Sequence, residues 1–207
     1  PSSIKHIDLS TDRAEFENDF ANIIQSQLQL TSAKFSSPKI LDYLKYSSNT
    51  LTSINFYSCQ FSNTMRFDAL SYLTQLESLQ FKSCNGLKSS VFQPFLNITT
   101  PLKIKSFVFI DDDEILSALT VNDFIPISLL IQKIGSYIEN LVLNIFNDEL
   151  REKLFDIIID FCEKVKFLHL NYIELTNIPQ LLKIIFKFSD YLKYLTLEAY
   201  YSFGKNE

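Results

Sequence analysis

Cys59 and Cys84 are the residues of this chain whose type and spacing most invite chemistry. Each closes the same short string, Leu51, Ile54, Phe56, Cys59 and Leu76, Leu79, Phe81, Cys84. If the two strings form neighbouring strands, the thiols approach to about one strand spacing, roughly 5 Å. That proximity raises a disulfide or a metal. A tetrahedral zinc site needs four ligands, however, and His6 and His169 both fall at positions that face the other side of the sheet. The pair is therefore expected to be two buried, hydrogen-bonding thiols, with no metal. Cys162 falls in a helical pattern and is expected in the core. Three cysteines in 207 residues fit reduced intracellular thiols better than a secreted disulfide framework.

A second cluster, His169 with Asn171, Tyr194 and Glu198, contains a general base but no aligned serine or cysteine and no carboxylate evidently orienting the imidazole. No catalytic residue is assigned, and the chain is expected not to be an enzyme. The acidic run Asp111-Asp112-Asp113-Glu114 lacks the alternating ligands and central glycine of a calcium loop. It is expected to be a solvated loop leading into a helix through Ile115, Leu116 and Leu119, with its acids near the positive end of the helix dipole. With only Gly86, Gly135 and Gly204, no phosphate-cradling loop can be assembled, and no cofactor is implied.

The elements that must position these residues follow from one repeated pattern. Apolar residues at a first, fourth and sixth position recur from Ile4, Leu51, Leu76, Ile104, Ile138, Val165 and Leu192, and from Leu51 onward the steps are 25, 28, 34, 27 and 27 residues. Such alternation marks a strand buried on one face, and its recurrence at a steady period marks a solenoid. A degenerate strand at Gln25, Leu28, Leu30 and Ala33 would fill the gap before Leu51. Between strands lie helical patterns. Ser37 and Pro38 open one, Val91 to Leu96 form a turn interrupted by Pro94, and Asn147 caps Leu150, Leu154, Ile157, Ile158 and Phe161. The last unit is expected to repeat this arrangement with Asn177, Pro179, Leu181, Leu182, Ile185 and Phe186. One domain spanning residues 1–207 is expected, as a fragment of a longer protein.

A net charge of -5 does not supply the positive field of a nucleic-acid binder, and no stretch approaches twenty apolar residues, so neither nucleic acid nor membrane is an expected partner. No secretory leader is present, which points to the cytoplasm or nucleus. The sequon Asn97-Ile98-Thr99 is read as chance. The Phe count of 19 implies rings filling the wedge between stacked repeats.

The pattern resembles the leucine-rich repeat family over nearly the whole chain, and the strings ending in Cys59 and Cys84 are most similar to the cysteine-containing repeats of F-box proteins. The resemblance implies a right-handed α/β solenoid, a horseshoe of six or seven repeats with parallel strands concave and helices convex, and a structural role at the turn after the strand for Cys59 and Cys84. It also implies protein or peptide binding on the concave face, with substrate choice for a ubiquitin ligase reached through a segment preceding Pro1, since the chain itself contains no F-box.

On that face the third, fifth and seventh positions of each strand point away from the interior. They form columns that run from His6, Asp8 and Ser10 to Tyr194, Thr196 and Glu198. The expected binding residues are Tyr57, Lys82, Phe167, His169, Asn171, Tyr172, Tyr194 and Glu198. The aromatic group at the C-terminal end is either a contact hot spot or a surface that a further repeat or cap would cover. Two other functions stay open: a structural, self-associating scaffold, and the sensor domain of a larger receptor or regulator.

Overall fold

The computed structural model describes residues 4–9, 17–27, 29–62, 67–99, 102–111, 121–145 and 147–199. Eight strands, β1 (His6–Leu9), β2 (Ser32–Phe35), β3 (Ser53–Tyr57), β4 (Ser78–Lys82), β5 (Ser106–Ile110), β6 (Asn140–Asn144), β7 (Phe167–Ile173) and β8 (Tyr194–Ala199), form one sheet in chain order. Every neighbouring pair is parallel. The helices between them are α1 (Glu17–Gln25), α2 (Ser89–Leu96), α3 (Val121–Ile134), α4 (Asp148–Phe161) and α5 (Ile178–Phe188), with 3-10 helices at Pro38–Ser47 and Phe67–Tyr72. The chain is thus α/β, and the strand pattern places the sheet residues it predicts.

Register follows the repeat. Ser32, Ser53, Ser78, Ser106, Asn140, Phe167 and Tyr194 stand side by side across seven strands, with His6 beside Ser32. Ile54 and Phe56, Leu79 and Phe81, Phe107 and Phe109, and Leu141 and Leu143 are buried against the helices, and the residues between them lie on the open face. Because side chains alternate with a period of two, this division follows from the local pattern once the register is set. The sixth position carries phenylalanine in β2 to β5. Phe56 and Phe81 stack at 5.0 Å, Phe35 meets Phe56 edge-on at 4.9 Å, and leucine takes over from β6. Aromatic pairs in these geometries add to the burial of their area.

The second strand corrects the sequence reading. Ala33 pairs with Ile54 and Phe35 with Phe56, so the repeat runs Leu30, Ala33, Phe35 and not Gln25, Leu28, Leu30. The buried side chains of Leu30, Ala33 and Phe35 explain the preference: the displaced frame would put a glutamine in the core, at the cost of burying its amide.

At the start of each strand the backbone repeats one motif. The carbonyl of Lys5 accepts from Thr31 N (2.8 Å) and Ser32 N (3.0 Å), and the carbonyls of Thr31, Thr52, Glu77, Lys105, Glu139 and Lys166 each accept from two successive N–H groups of the next strand. One carbonyl with two lone pairs satisfies two donors, which locks each unit to its predecessor.

Local sequence decides several helix ends. The Asn147 side chain accepts from Leu150 N at 3.1 Å and caps α4. Ser37 stands at the corresponding place before Pro38 but makes no side-chain cap bond, and the segment it opens is a 3-10 helix. The helix α2 continues through Pro94 instead of breaking there; a proline near the end of so short a helix removes a single bond. In α5 the buried residues are Leu181, Ile184 and Phe188, whereas Leu182 and Phe186 are exposed, so the core-facing stripe is not the one expected from sequence. Asp111 is only 4% exposed and does not belong to a solvated loop. The rest of the acidic run, and the helix expected through Leu119, lie outside the described residues. Among the described residues, no helix is long and apolar enough to cross a membrane.

Candidate functional site

The turn after the strand is built the same way in three units. Ser58, Ser83 and Tyr172 occupy one repeat position, and all adopt left-handed backbone, with φ of 53°, 52° and 58°. A residue with a Cβ resists this conformation. Each is followed by a buried side chain, Cys59, Cys84 or Ile173, and the sharp turn aims that side chain inward. Cys59 Sγ donates to the Phe35 carbonyl at 3.3 Å, which ties its turn to the preceding strand. Cys84 Sγ lies 3.3 Å from the Lys82 carbonyl of its own strand and 3.5 Å from the Phe56 carbonyl of the preceding one. Beyond the turn, Asn85 N donates to Cys59 O and Phe61 N to Asn85 O, both at 2.9 Å. Gly86 follows with φ +75°; a Cβ there would lie 2.2 Å from the Phe61 carbonyl oxygen.

All three cysteines are free and buried. Cys59 is pushed up by its hydrogen bond to Cys84 and by burial, whereas the same contact lowers Cys84, and burial lifts Cys162 to about 12. A thiol held neutral, as Cys59 and Cys162 are, is a poor nucleophile and a poor metal ligand. Among the described residues, no group of three or more His, Cys, Asp or Glu side chains could hold a metal ion.

The open face of the sheet carries the expected binding residues in two groups. Tyr57 and Lys82 are register partners on β3 and β4. Tyr57 is exposed, and Lys34 Nζ lies 4.9 Å from its ring centroid while also pairing with Asp8 Oδ2 at 2.9 Å. Asp8, Lys34 and Tyr57 thus form a chain of contacts across β1, β2 and β3. Sequence reasoning missed Lys34 because its misplaced frame took β2 out of the columns. The alternation Leu30, Ala33, Phe35 was the signal that would have found it.

The second group lies on β7 and β8. Phe167 and Tyr194 are register partners with ring centroids 6.3 Å apart. His169 Nε2 and Asn171 Oδ1 are hydrogen-bonded, and Glu198 Oε1 lies 3.7 Å from His169 Nε2. The register slips by one residue between Leu170 and Ile173, at the left-handed Tyr172. Phe167, His169, Asn171 and Tyr172 are half-buried, and Tyr194 and Glu198 are exposed.

Three strand spacings, roughly 14 Å, separate β4 from β7 and hence the two groups. Half-buried Val108, Ile110 and Val142 lie between them. Two buried side-chain oxygens on the same face, Asn55 Oδ1 and Asn144 Oδ1, have no hydrogen-bond partner. An unpartnered buried acceptor is costly to the fold.

The strand starts hold a further row that the sequence reading passed over. Glu77, Lys105, Glu139, Lys166 and Lys193 each immediately precede the side-by-side residues Ser78, Ser106, Asn140, Phe167 and Tyr194. Lys105 Nζ pairs with Glu77 at 2.7 Å, and Lys166 Nζ with Glu139 at 2.9 Å. The hydrogen bond to Glu77 raises Lys105. Glu139 is lowered, chiefly by its bond to Lys166 and further by the nearby Lys105 and Lys193. Exposed pairs of this kind add little stability; their alternating sign favours this order of neighbours.

No protein-family model matches the chain. No curated protein matches it.

Proposed function

We propose that the chain is a leucine-rich repeat solenoid that recognises a protein or peptide partner, without catalysis, on the open face of its sheet. In this reading the face is the concave side of a right-handed horseshoe and the helices are its convex side. The observation that carries it is the continuous register across eight strands, which aligns three columns of outward side chains whose identity the core does not dictate. The columns pass from charged at Asp8 and Lys34, through Tyr57, Lys82 and then aliphatic Val108, Ile110 and Val142, to aromatic at Phe167 and Tyr194. Such a graded strip suits an extended ligand, with the aromatic end as anchor. The similarity to F-box repeats extends the proposal to substrate selection for a ubiquitin ligase in the cytoplasm or nucleus.

The test is cross-linking of the chain to its captured partners, with the wild type beside Phe167→Ala/His169→Ala/Tyr194→Ala. The expected result is a partner whose cross-links fall on the open face and disappear in the triple variant. Cross-links confined to the helices, or a partner set insensitive to the variant, would refute the proposal. Co-capture of the ubiquitin-ligase adaptor with full-length protein tests the extension separately.

A further inference from the structure

Of the three cysteines, Cys59 and Cys84 are the two that the register brings together. On one side of them Tyr57 stands beside Lys82, and on the other Gln60 stands beside Asn85, both in parallel pairing. The backbone between is tied as well, since Asn85 N donates to Cys59 O at 2.9 Å and Ser58 N to Lys82 O at 2.8 Å. Cys59 and Cys84 are therefore held one strand spacing apart, about 4.8 Å. A disulfide spans Cα separations of about 4.4–6.8 Å, so the backbone already lies inside that window.

The side chains are aimed alike. Ser58 and Ser83 precede them with φ of 53° and 52°, and these matched turns send both sulfurs into the core on the same side of the sheet. The sulfurs also touch: the interaction with Cys84 raises Cys59, and the interaction with Cys59 lowers Cys84. Cys162 belongs to another unit, at the C-terminal cap of α4, and burial holds it neutral.

The two thiols differ in what each can do first. Cys84 is 8% exposed and Cys59 1%. Cys84 is thus both the more open sulfur and the one held nearer its thiolate, the nucleophilic form. Cys59 is neutral and in contact, placed to attack whatever forms on Cys84. A thiol of lowered pKa beside a resolving cysteine is the arrangement on which reversible oxidation depends. So narrow an opening suits a small, uncharged oxidant.

We propose that Cys59 and Cys84 are a modification site for hydrogen peroxide, at which the folded chain closes a disulfide between neighbouring units. The Cys84 thiolate attacks one peroxide oxygen and the O–O bond breaks. The departing hydroxide takes up the proton that Cys84 released, leaving water and a sulfenic acid. The Cys59 sulfur then attacks the sulfenic sulfur; an S–S bond forms, the S–O bond breaks, and the hydroxyl leaves as water with the Cys59 proton. Two thiols lose two electrons in all, and one peroxide is reduced to two waters. The thiol contacts with the Phe35 and Phe56 carbonyls give way to a covalent tie between the units of β3 and β4. No partner on the open face is needed, so the site stands apart from the function proposed above.

Hydrogen peroxide is titrated into the whole folded chain, the remaining thiols are alkylated in denaturant, and the chain is digested without reductant by trypsin, which cuts after Arg66 and Lys82 between the two cysteines. The expected product is a linked pair of peptides carrying Cys59 and Cys84, with Cys162 recovered alkylated. In Cys59→Ser the reaction should stop at the sulfenic acid of Cys84, where dimedone traps it. In Cys84→Ser the oxidation of Cys59 should slow at least about tenfold, because the remaining thiol is neutral and closed off. Recovery of wild-type Cys59 and Cys84 as alkylated thiols, or as sulfinic and sulfonic acids without a link, overturns the proposal. So does a link that forms only in urea, since the folded register would then not be what joins them.

Discussion

The unit of α4 and β7 and the unit of α5 and β8 are close to copies of one another, and they have opposite surroundings. Leu168 and Leu170 in the first correspond to Leu195 and Leu197 in the second. One repeat of 27 residues earlier, Phe155 stands where α5 has Leu182. Phe155 is 1% exposed and Leu182 is 48% exposed. In the strands residue type and phase are matched, so the difference there reflects the neighbour packed alongside; the helices differ also in which face they bury, since Phe188 is buried where α4 has exposed Phe161. In the solenoid proposed above, each unit draws its stability from its own fold and from its two neighbours. Among the described residues, the unit of α5 and β8 has one neighbour.

The largest effect expected from this contrast is in paired truncations. Leu170→Ala should cost about 2–5 kcal/mol, as for a fully buried leucine, whereas Leu197→Ala at the matched position should cost under about 1 kcal/mol. Urea unfolding of both variants measures the difference. Equal losses would mean that the β8 side chains are covered in solution and that the two units are not opposed after all.

A change at the junction of the two units sharpens the comparison further. The Asn177 side chain is buried, and its Oδ1 accepts from Arg151 Nε at 3.2 Å and from Glu174 N at 3.1 Å, joining α4 to the start of α5. Asn177→Ala should cost about 1–3 kcal/mol, since it removes an acceptor from two donors. Hydrogen exchange should speed up in β8 and α5 much more than in β4. Uniform acceleration would show that the terminal unit unfolds only with the rest.

The smallest effect concerns the charged row. Glu139 is held below the usual carboxylate value by Lys166, so it is charged in the folded chain at a pH where it is partly protonated in the unfolded one. Its contribution is present above the usual carboxylate value and is lost as pH falls below it, through the lower folded value. Glu139→Gln should therefore flatten the acid side of the stability profile slightly. A variant whose loss grows towards lower pH would contradict the pairing.

Much of this architecture was legible in the chain. Apolar residues three and five places beyond Ile54's repeat start, and their counterparts at Leu79, Phe107 and Leu141, identify strands because alternation is a property of the strand itself. The αN-terminal cap at Asn147 was equally readable, since its bond closes within three residues. The frame of β2 was not, because Leu28 and Leu30 offer the same local alternation as Ala33 and Phe35. The two groups of candidate binding residues were readable as columns, but Lys34 was lost with that frame, and the slip at Tyr172 leaves no local mark.

What the sequence determined by itself is the spacing of the strands, the inward and outward faces of each, and the presence of hydrogen-bonding thiols after two of them, all consequences of short-range periodicity. Only the tertiary structure decided which apolar stripe of α5 is covered, which carbonyls receive the thiols of Cys59 and Cys84, and where the alternation of charge fails. Each of these depends on the neighbour that stands beside a residue. Leu170 and Leu197 share type and phase, yet the first is 1% exposed and the second 40%, because burial belongs to the contact between units and not to the residue.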